Sequence, residues 1–562
     1  MAVMPWSKSV RSVDVNAPAS RKIKGQICAV AETQLTRWDA AWMIVGSLLT
    51  FLVSYGLGHH RIFWEDEMLG WMLLKDPSWH HMISAWEMGA DGGGFAFYLT
   101  GRLWFWIFGS SEIAFRFYSA TGFGLAFCVL WVTQRRFYSI GTVVFALFNT
   151  WFFSSTIVTH MAEGRFYGLL MLSASAATWL VVKADETGRA PLLLYPAMFV
   201  IHALLTTSHL LGVVYSATLV AGLVLLDRLR GRPFRTMLYI SAACSWLLLL
   251  PERAAIVASA EVGRPHFWTT QPNFSRFVGA YSAYSAEIAA VLLVLGFLAA
   301  VELRRSRDGW RSELRRAFVS RTAAYVVTLA LLFAPLELLI GGWFGPSLFI
   351  NRYMMPVAIA QAFVMAEAIR LIDWKRILPE AMKTRAVRWS AAGVLGGAIL
   401  LWDFGHLSHA TMLHANYTDA LTARLPKGVP VLCEDAWTFT ELMGRQHGSG
   451  VRYTYLLDWP QSTSKAAPRL EVTQYHLMEN WRKAGYFAGS IQYRDEFLRD
   501  NRRFLLLHTS QPVTMKEPPF IGNPLYERFL ADPAYQVVPY IGEDQMRVND
   551  VWLVCERSCD TL

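Results

Sequence analysis

Apolar runs of about 17 residues or more recur along this chain of 562 residues, and nothing else in the sequence limits its possible folds as strongly. A run of that length satisfies its own backbone polar groups as a helix, and about 20 residues of helix cross a bilayer. The formal net charge of +9 suggests at first a nucleic-acid partner. Its placement argues otherwise. The arginines sit in short loops between the apolar runs, as the positive-inside rule expects, and no nucleic-acid motif is present. With 54% hydrophobic and 17% charged residues, the expected class is an α-helical polytopic membrane protein.

Eleven spans are expected, near 41–57, 113–133, 138–159, 166–183, 191–207, 210–226, 234–251, 285–302, 322–343, 352–374 and 389–404. The apolar piece Phe95–Phe108 contains Arg102 and is short for a crossing of about 20 residues. Counted as a span, it would put Arg135 and Arg136 outside and invert every later basic loop. It is therefore read as a juxtamembrane helix that does not cross. Residues 1–38 (Lys8, Arg11, Arg21, Lys22, Lys24) read as a basic cytoplasmic tail, since no apolar run there ends in a cleavage site. Residues 39–404 form the transmembrane domain, with a first external loop at 58–112. The N-terminus is placed in the cytoplasm of a plasma (inner) membrane, and the C-terminal region in the periplasm or extracellular space.

From 405 to 562 the composition becomes that of a soluble domain. Short β-like runs at Val429–Cys433, Tyr453–Leu457, Phe504–Leu507, Gln536–Tyr540 and Val551–Val554 predict a small extracytoplasmic α/β domain. No nucleotide fingerprint or nucleophile elbow accompanies them. Cys128 and Cys244 fall inside spans and read as packing residues. Outside, a disulfide is permitted, and Cys433 with Cys555 or Cys559 is the expected pairing.

The stretch Phe63-Trp64-Glu65-Asp66-Glu67-Met68-Leu69-Gly70-Trp71 follows the first span and sets three carboxylates in a row. Acids beside a bilayer face a cavity, bind an ion or move a proton; the plainer alternative is a solvated loop with tryptophan anchors. Asp91, Glu163, Arg165, His209, His266 and Arg352 fall on the same side in this topology. Each arginine alone reads as an interfacial anchor. Together they make a polar face where carboxylates deprotonate a hydroxyl or hold a cation and arginines grip a phosphate.

Several ordered pieces resemble the polyprenyl-phosphate-sugar-dependent glycosyltransferases of the GT-C fold. The branch is that of bacterial relatives of protein O-mannosyltransferases and of lipid A aminoarabinose transferases. Trp64–Trp71 resembles the family's Asp-Glu pair after span 1. Tyr98-Leu99 to Leu103-Trp104, with Phe108-Gly109-Ser110-Ser111-Glu112 and Arg116, resembles its first-loop helix and the entry to span 2. Glu163-Gly164-Arg165-Phe166-Tyr167-Gly168-Leu169-Leu170 is similar to Glu-Ala-Arg-Met-Tyr-Ala-Leu-Leu, Thr207-Ser208-His209 with Gly212 to Thr-His-Tyr-Phe-Gly, and Arg352-Tyr353 with Pro356 to Arg-Tyr-x-x-Pro.

The resemblance implies a GT-C-like fold and transfer of a sugar from a polyprenyl-phosphate carrier to a lipid, glycan or protein acceptor, with inversion. It implies Asp66 as general base, with Glu67 supporting it or a metal. Arg165 and Arg352 would bind the donor phosphate. Glu65, Asp91, Glu163, Tyr167, His209 and His266 would support the site or meet the acceptor. A divalent ion (Mg or Mn) at Asp66, Glu67 and Glu163 is allowed for. Where relatives carry Asp-x-His-Pro-Pro-Leu-Tyr, this chain has Asp91-Gly92-Gly93-Gly94-Phe95-Ala96-Phe97-Tyr98, which removes a possible ligand and is expected to loosen the loop. A flippase of lipid-linked sugars and a silent membrane scaffold are the competing readings. A transporter, however, tends to place its charges at mid-membrane in related halves, and no internal repeat is evident.

Overall fold

The computed structural model describes residues 35–59, 61–187, 190–262, 273–274, 277, 286–305, 317–344, 349–374, 397, 404–405, 408–409, 418–445, 450–462, 469–508, 525–541 and 550–556. The tail 1–34, His266 and most of the expected span 389–404 lie outside these residues. The first part of the chain is a bundle of α1 (Arg37–Gly58), α2 (Glu65–Lys75), α3 (Trp79–Glu87), α4 (Phe95–Phe108), α5 (Glu112–Gln134), α6 (Ile140–Phe152), α7 (Ser155–Met161), α8 (Tyr167–Glu186), α9 (Leu194–Ser208) and α10 (Gly212–Leu229). It continues through α11 (Thr236–Ala243), α12 (Arg253–Val262), α13 (Ala286–Arg305), α14 (Thr322–Phe344) and α15 (Val357–Leu371).

Serines start several of these helices for a local reason. Ser78, Ser111, Ser139 and Ser154 each accept a backbone N–H of the first turn on the side-chain oxygen. Among the described residues five helices, α1, α5, α8, α10 and α14, are long and apolar enough to cross a membrane, and the chain is an integral membrane protein. The count becomes seven if α6 with α7 (bent by 71°) and α11 to α12 (bent by 60°) are each one broken span. Ten of the eleven expected stretches contain a described helix, although α9, α13 and α15 are short or less apolar than a crossing usually is. Phe95–Phe108 is a separate helix of 14 residues, shorter than the roughly 20 of a usual crossing. It buries Ala96, Phe97, Tyr98 and Gly101 and exposes Phe95, Leu99, Leu103 and Ile107 at helical spacing.

The two ends of the bundle differ in chemistry. At one end arginines are tied to carboxylates. Arg135 pairs with Asp39 at 2.5 Å, Arg230 and Arg232 with Asp185 at 2.6 and 3.1 Å, Arg235 with Asp227 at 2.7 Å and Arg370 with Glu367 at 2.8 Å. These are the basic loops of the sequence reading. The α1–α2 connection, the α7–α8 turn and the α9–α10 turn meet at the other end.

That other end carries a sheet with six strands among the described residues. Its strands are β1 (Pro430–Cys433), β2 (Arg452–Leu457), β3 (Ile491–Tyr493), β4 (Arg503–His508), β5 (Tyr535–Ile541) and β6 (Asp550–Glu556), in the order β3-β2-β1-β4-β6-β5. The first four are parallel and β6 runs antiparallel to β4. Between them lie α16 (Ala436–Arg445), α17 (Trp459–Ser462), α18 (Arg469–Lys483), α19 (Arg494–Asp500) and α20 (Leu525–Ala531). Every residue of β1 is buried, as a central parallel strand covered on both faces must be. Five of the six strands were legible as apolar runs; β3 has three residues and was not.

The expected disulfide is corrected. Cys433 is a free, buried thiol, whereas Cys555 is disulfide-bonded to a partner outside the described residues. Strand β4 stands between Cys433 on β1 and Cys555 on β6. Two strand spacings are about 9.5 Å, beyond the roughly 4.4–6.8 Å that a disulfide spans between Cα atoms.

Candidate active site

Helix α2 begins at Trp64 without a side-chain cap, and its first turn is Glu65, Asp66 and Glu67. Carboxylates there face the positive end of the helix dipole, so ionised side chains are favoured at that position. Successive residues of a helix point about 100° apart, and the three acids accordingly meet three different surroundings.

Asp66 keeps a quarter of its side chain exposed and stands between two guanidinium groups. Arg165 Nη2 lies 3.4 Å and Arg352 Nη2 3.6 Å from Asp66 Oδ2. Arg165 Nη1 also donates to the Asp66 carbonyl at 2.6 Å and to Asp91 Oδ1 at 2.9 Å. Asp91 Oδ2 in turn accepts the Tyr98 hydroxyl at 2.5 Å and the Gly93 N–H at 3.3 Å. Burial opposes the charge on Arg165, but Asp66 and Asp91 outweigh it and hold the guanidinium protonated. Arg352 lies over the Trp64 ring at 5.2 Å and beside Tyr353 at 5.5 Å.

His209 wedges between the residues that follow the two arginines. Its ring stacks on Phe166 at 4.3 Å and tilts against Tyr353 at 4.9 Å. Burial, then Arg165 and Arg352, push its pKa down to about 3. The ring is therefore neutral. Because Nδ1 accepts the Leu211 N–H at 3.2 Å, the proton sits on Nε2. The Tyr167 hydroxyl is buried within electrostatic reach of Arg352, Arg165 and Asp66 and has no hydrogen-bond partner among the described residues.

Glu67 and Glu163 turn elsewhere. Glu67 is fully buried, and its Oε1 accepts the Gly164 N–H at 2.8 Å and Arg116 Nε at 3.3 Å. Arg116 Nη1 donates to the Gly58 carbonyl at 2.6 Å, so Glu67 fastens the end of α1 and the α7–α8 turn to α2. Glu163 sits between Arg61 Nη2, at 2.8 Å, and the His160 ring. Burial works against its ionisation, but His160 and Arg61 hold its carboxyl well below the usual range. Glu65 faces α16: burial first, then Asp66 and Asp435, push its carboxyl well above the usual range while the Trp437 side chain bonds it.

No group of three His, Cys, Asp or Glu side chains among the described residues is arranged to hold a metal ion. Of the expected set Asp66, Glu67 and Glu163, Asp66 alone is part-exposed, while the other two are buried. Glu67 and Glu163 are engaged by Arg116 and by Arg61 with His160, so they do not converge with Asp66. The glycine run is also not loose throughout. A Cβ on Gly94 would lie 2.1 Å from the Thr207 carbonyl oxygen, while one on Gly92 would meet nothing within 4 Å.

The structure thus brings together Asp66, Asp91, Arg165, Arg352, Tyr167 and His209, and sets Glu65, Glu67 and Glu163 in adjoining contacts. Tyr98 and Arg116 stood in the resembling pieces but were given no role, and Arg61 and His160 were missed as site neighbours. Both missed residues are polar and close to motif positions, which is the signal that would have found them.

No family model and no curated protein matches the sequence. Solved structures do share its fold. ArnT from Cupriavidus metallidurans in the apo state is similar over 92% of this chain and 98% of its own, with a TM-score of 0.51 and 11% identity. ArnT bound to undecaprenyl phosphate is similar over 91% of this chain and 98% of its own, with a TM-score of 0.52 and 11% identity. The chain accordingly has the GT-C fold.

Proposed function

We propose that this GT-C chain is an integral-membrane glycosyltransferase, moving a sugar from a polyprenyl-phosphate carrier to an acceptor hydroxyl or amine with Asp66 as general base. One observation carries the reading: a part-exposed carboxylate held between Arg165 and Arg352 at the polar end of an apolar bundle. The undecaprenyl phosphate bound by a protein of the same fold supports a lipid carrier of that class. The arginine-rich opposite end supports a cytoplasmic basic face, with the site and the sheet domain outside.

In the reaction, the acceptor oxygen or nitrogen attacks the anomeric carbon and gives its proton to the Asp66 carboxylate. The bond from that carbon to the phosphate oxygen breaks, its electron pair leaves with the phosphate, and the configuration inverts. Arg165 and Arg352 supply the opposite charge where the leaving phosphate gathers it. The Tyr167 hydroxyl and His209 Nε2–H are two further donors beside them. Glu67 supports the base by fixing α2, and Asp91 by fixing Arg165. The acceptor is a lipid, glycan or protein of the cell envelope.

Mass spectrometry of envelope lipids and glycoproteins with and without the chain identifies the acceptor. Purified protein then transfers label from a polyprenyl-phosphate sugar, and Asp66→Asn slows transfer by roughly 10²–10⁴-fold while still binding undecaprenyl phosphate. Transfer at the original rate by Asp66→Asn removes the assignment of the base.

A further inference from the structure

The segment that carries one of the two aspartates at the site is held in part from outside the bundle. The segment 88–94 joins α3 to α4 and carries Asp91. On the bundle side, Gly94 N–H donates to the Ser208 carbonyl at 3.1 Å, and the neighbouring Phe95 N–H to Glu252 Oε1 at 3.2 Å. On the other side the grip comes from α18 of the sheet domain. Trp481 Nε1–H donates to the Ala90 carbonyl at 2.7 Å, and Asn480 Nδ2 to the Met88 carbonyl at 2.7 Å. Trp481 is fully buried, so its N–H has no water to turn to. The bundle adds the Trp86 Nε1–H of α3 on the Gly93 carbonyl at 2.8 Å, and within the segment the Gly93 N–H donates to Asp91 Oδ2 at 3.3 Å. Gly89, Gly92, Gly93 and Gly94 bring no side chains to pack, and glycine has the most conformational freedom to lose.

From Asp91 the contacts run to Arg165 and from Arg165 to the Asp66 carbonyl and carboxylate. We propose that Trp481 and Asn480 are positioning residues, through which the sheet domain sets the Asp91 segment and, by way of Arg165, the angle of the Asp66 carboxylate. The consequence for turnover rests on the glycosyltransferase reading; the mechanical part does not. A domain merely docked on the bundle would make contacts that end at its surface, whereas these two end on the carbonyls of residues 88 and 90, beside Asp91.

The test uses the full chain in lipid nanodiscs, with Trp481→Phe (which keeps a ring and deletes the N–H) and Asn480→Ala. Losing one such hydrogen bond is expected to raise amide exchange across 88–94 by roughly fivefold to tenfold, with exchange in β1 to β6 unchanged. Transfer from a polyprenyl-phosphate sugar is expected to fall by a similar factor in kcat, with KM for the donor held within about twofold. Exchange at 88–94 equal to that of the unaltered protein overturns the proposal. So does a rise spread over the whole sheet in both variants, or a change confined to KM. If the unaltered protein transfers no sugar, the functional reading fails by itself, and the exchange measurement still decides whether the sheet domain sets the segment.

Discussion

Asp66 and Glu67 are neighbours in sequence with opposite circumstances: one is part-exposed between two arginines, the other fully buried against Arg116 and a backbone N–H. Removing the charge of Glu67 leaves the buried Arg116 with the Gly58 carbonyl and the half-exposed Glu112 carboxylate at 3.9 Å, which costs about 3 kcal/mol. Glu67→Gln is therefore expected to lower the thermal midpoint markedly in a denaturation scan, and to lower turnover per folded molecule less than Asp66→Asn does, since Glu67 only fixes the helix that carries the base. The sequence displayed three acids in a row, but not which one faced the opening. That choice is made by Arg116, 49 positions away, and by Trp437 in the sheet domain, and helical geometry alone is silent on both. His209 is a similar case. It was visible as a lone histidine between spans, and its tautomer follows only from the Leu211 N–H that its Nδ1 accepts.

Among the connecting elements, the glycine segment before α4 is the least forgiving. With the Thr207 carbonyl 2.1 Å from where a Cβ would stand, Gly94→Ala forces the segment off the α9–α10 turn. The expected cost is about 1–3 kcal/mol, read by chemical denaturation, while Gly92→Ala is tolerated. The resemblance pointed to this segment as a departure; the reason for Gly94 lies in a turn more than a hundred residues later and was not readable. A second element depends on pH. His81 on α3 bonds the Ala484 carbonyl at 2.6 Å and the Asp76 carboxylate, and Tyr486 donates to the same carboxylate at 2.5 Å. The Ala484 carbonyl and then Asp76 raise the His81 pKa, because both ring nitrogens face acceptors. A folded value above the unfolded one means a contribution present in full below about pH 6.5 and lost as pH rises through the folded value. The stability gap between the unaltered protein and His81→Gln is thus expected to be widest in acid and to close in base, as denaturation at a series of pH values measures.

For the molecule as a whole, the arginine-rich loops were the most legible feature, since charge asymmetry needs no tertiary information. They gather at one end of the bundle, away from the sheet. Labelling with a membrane-impermeant thiol reagent is expected to reach Lys483→Cys, on α18, in intact cells and Arg228→Cys, at the far end of α10, only after lysis. The reverse pattern overturns the orientation. The bends of 71° and 60° within two helix pairs, and the seating of the sheet domain on α2 and α3, were not legible. Both depend on packing between segments far apart in the chain.

Two guanidinium groups and two carboxylates, Arg165, Arg352, Asp66 and Asp91, make the resting site electroneutral. On the proposed reaction a phosphodiester arrives with one negative charge, and a monoester remains with roughly 1.5 to 2. The hydrogen ion that Asp66 removes from the acceptor offsets that increment within the same event. The spent carrier is then held by arginines facing one carboxylate fewer, and its release is timed by the return of that hydrogen ion to water.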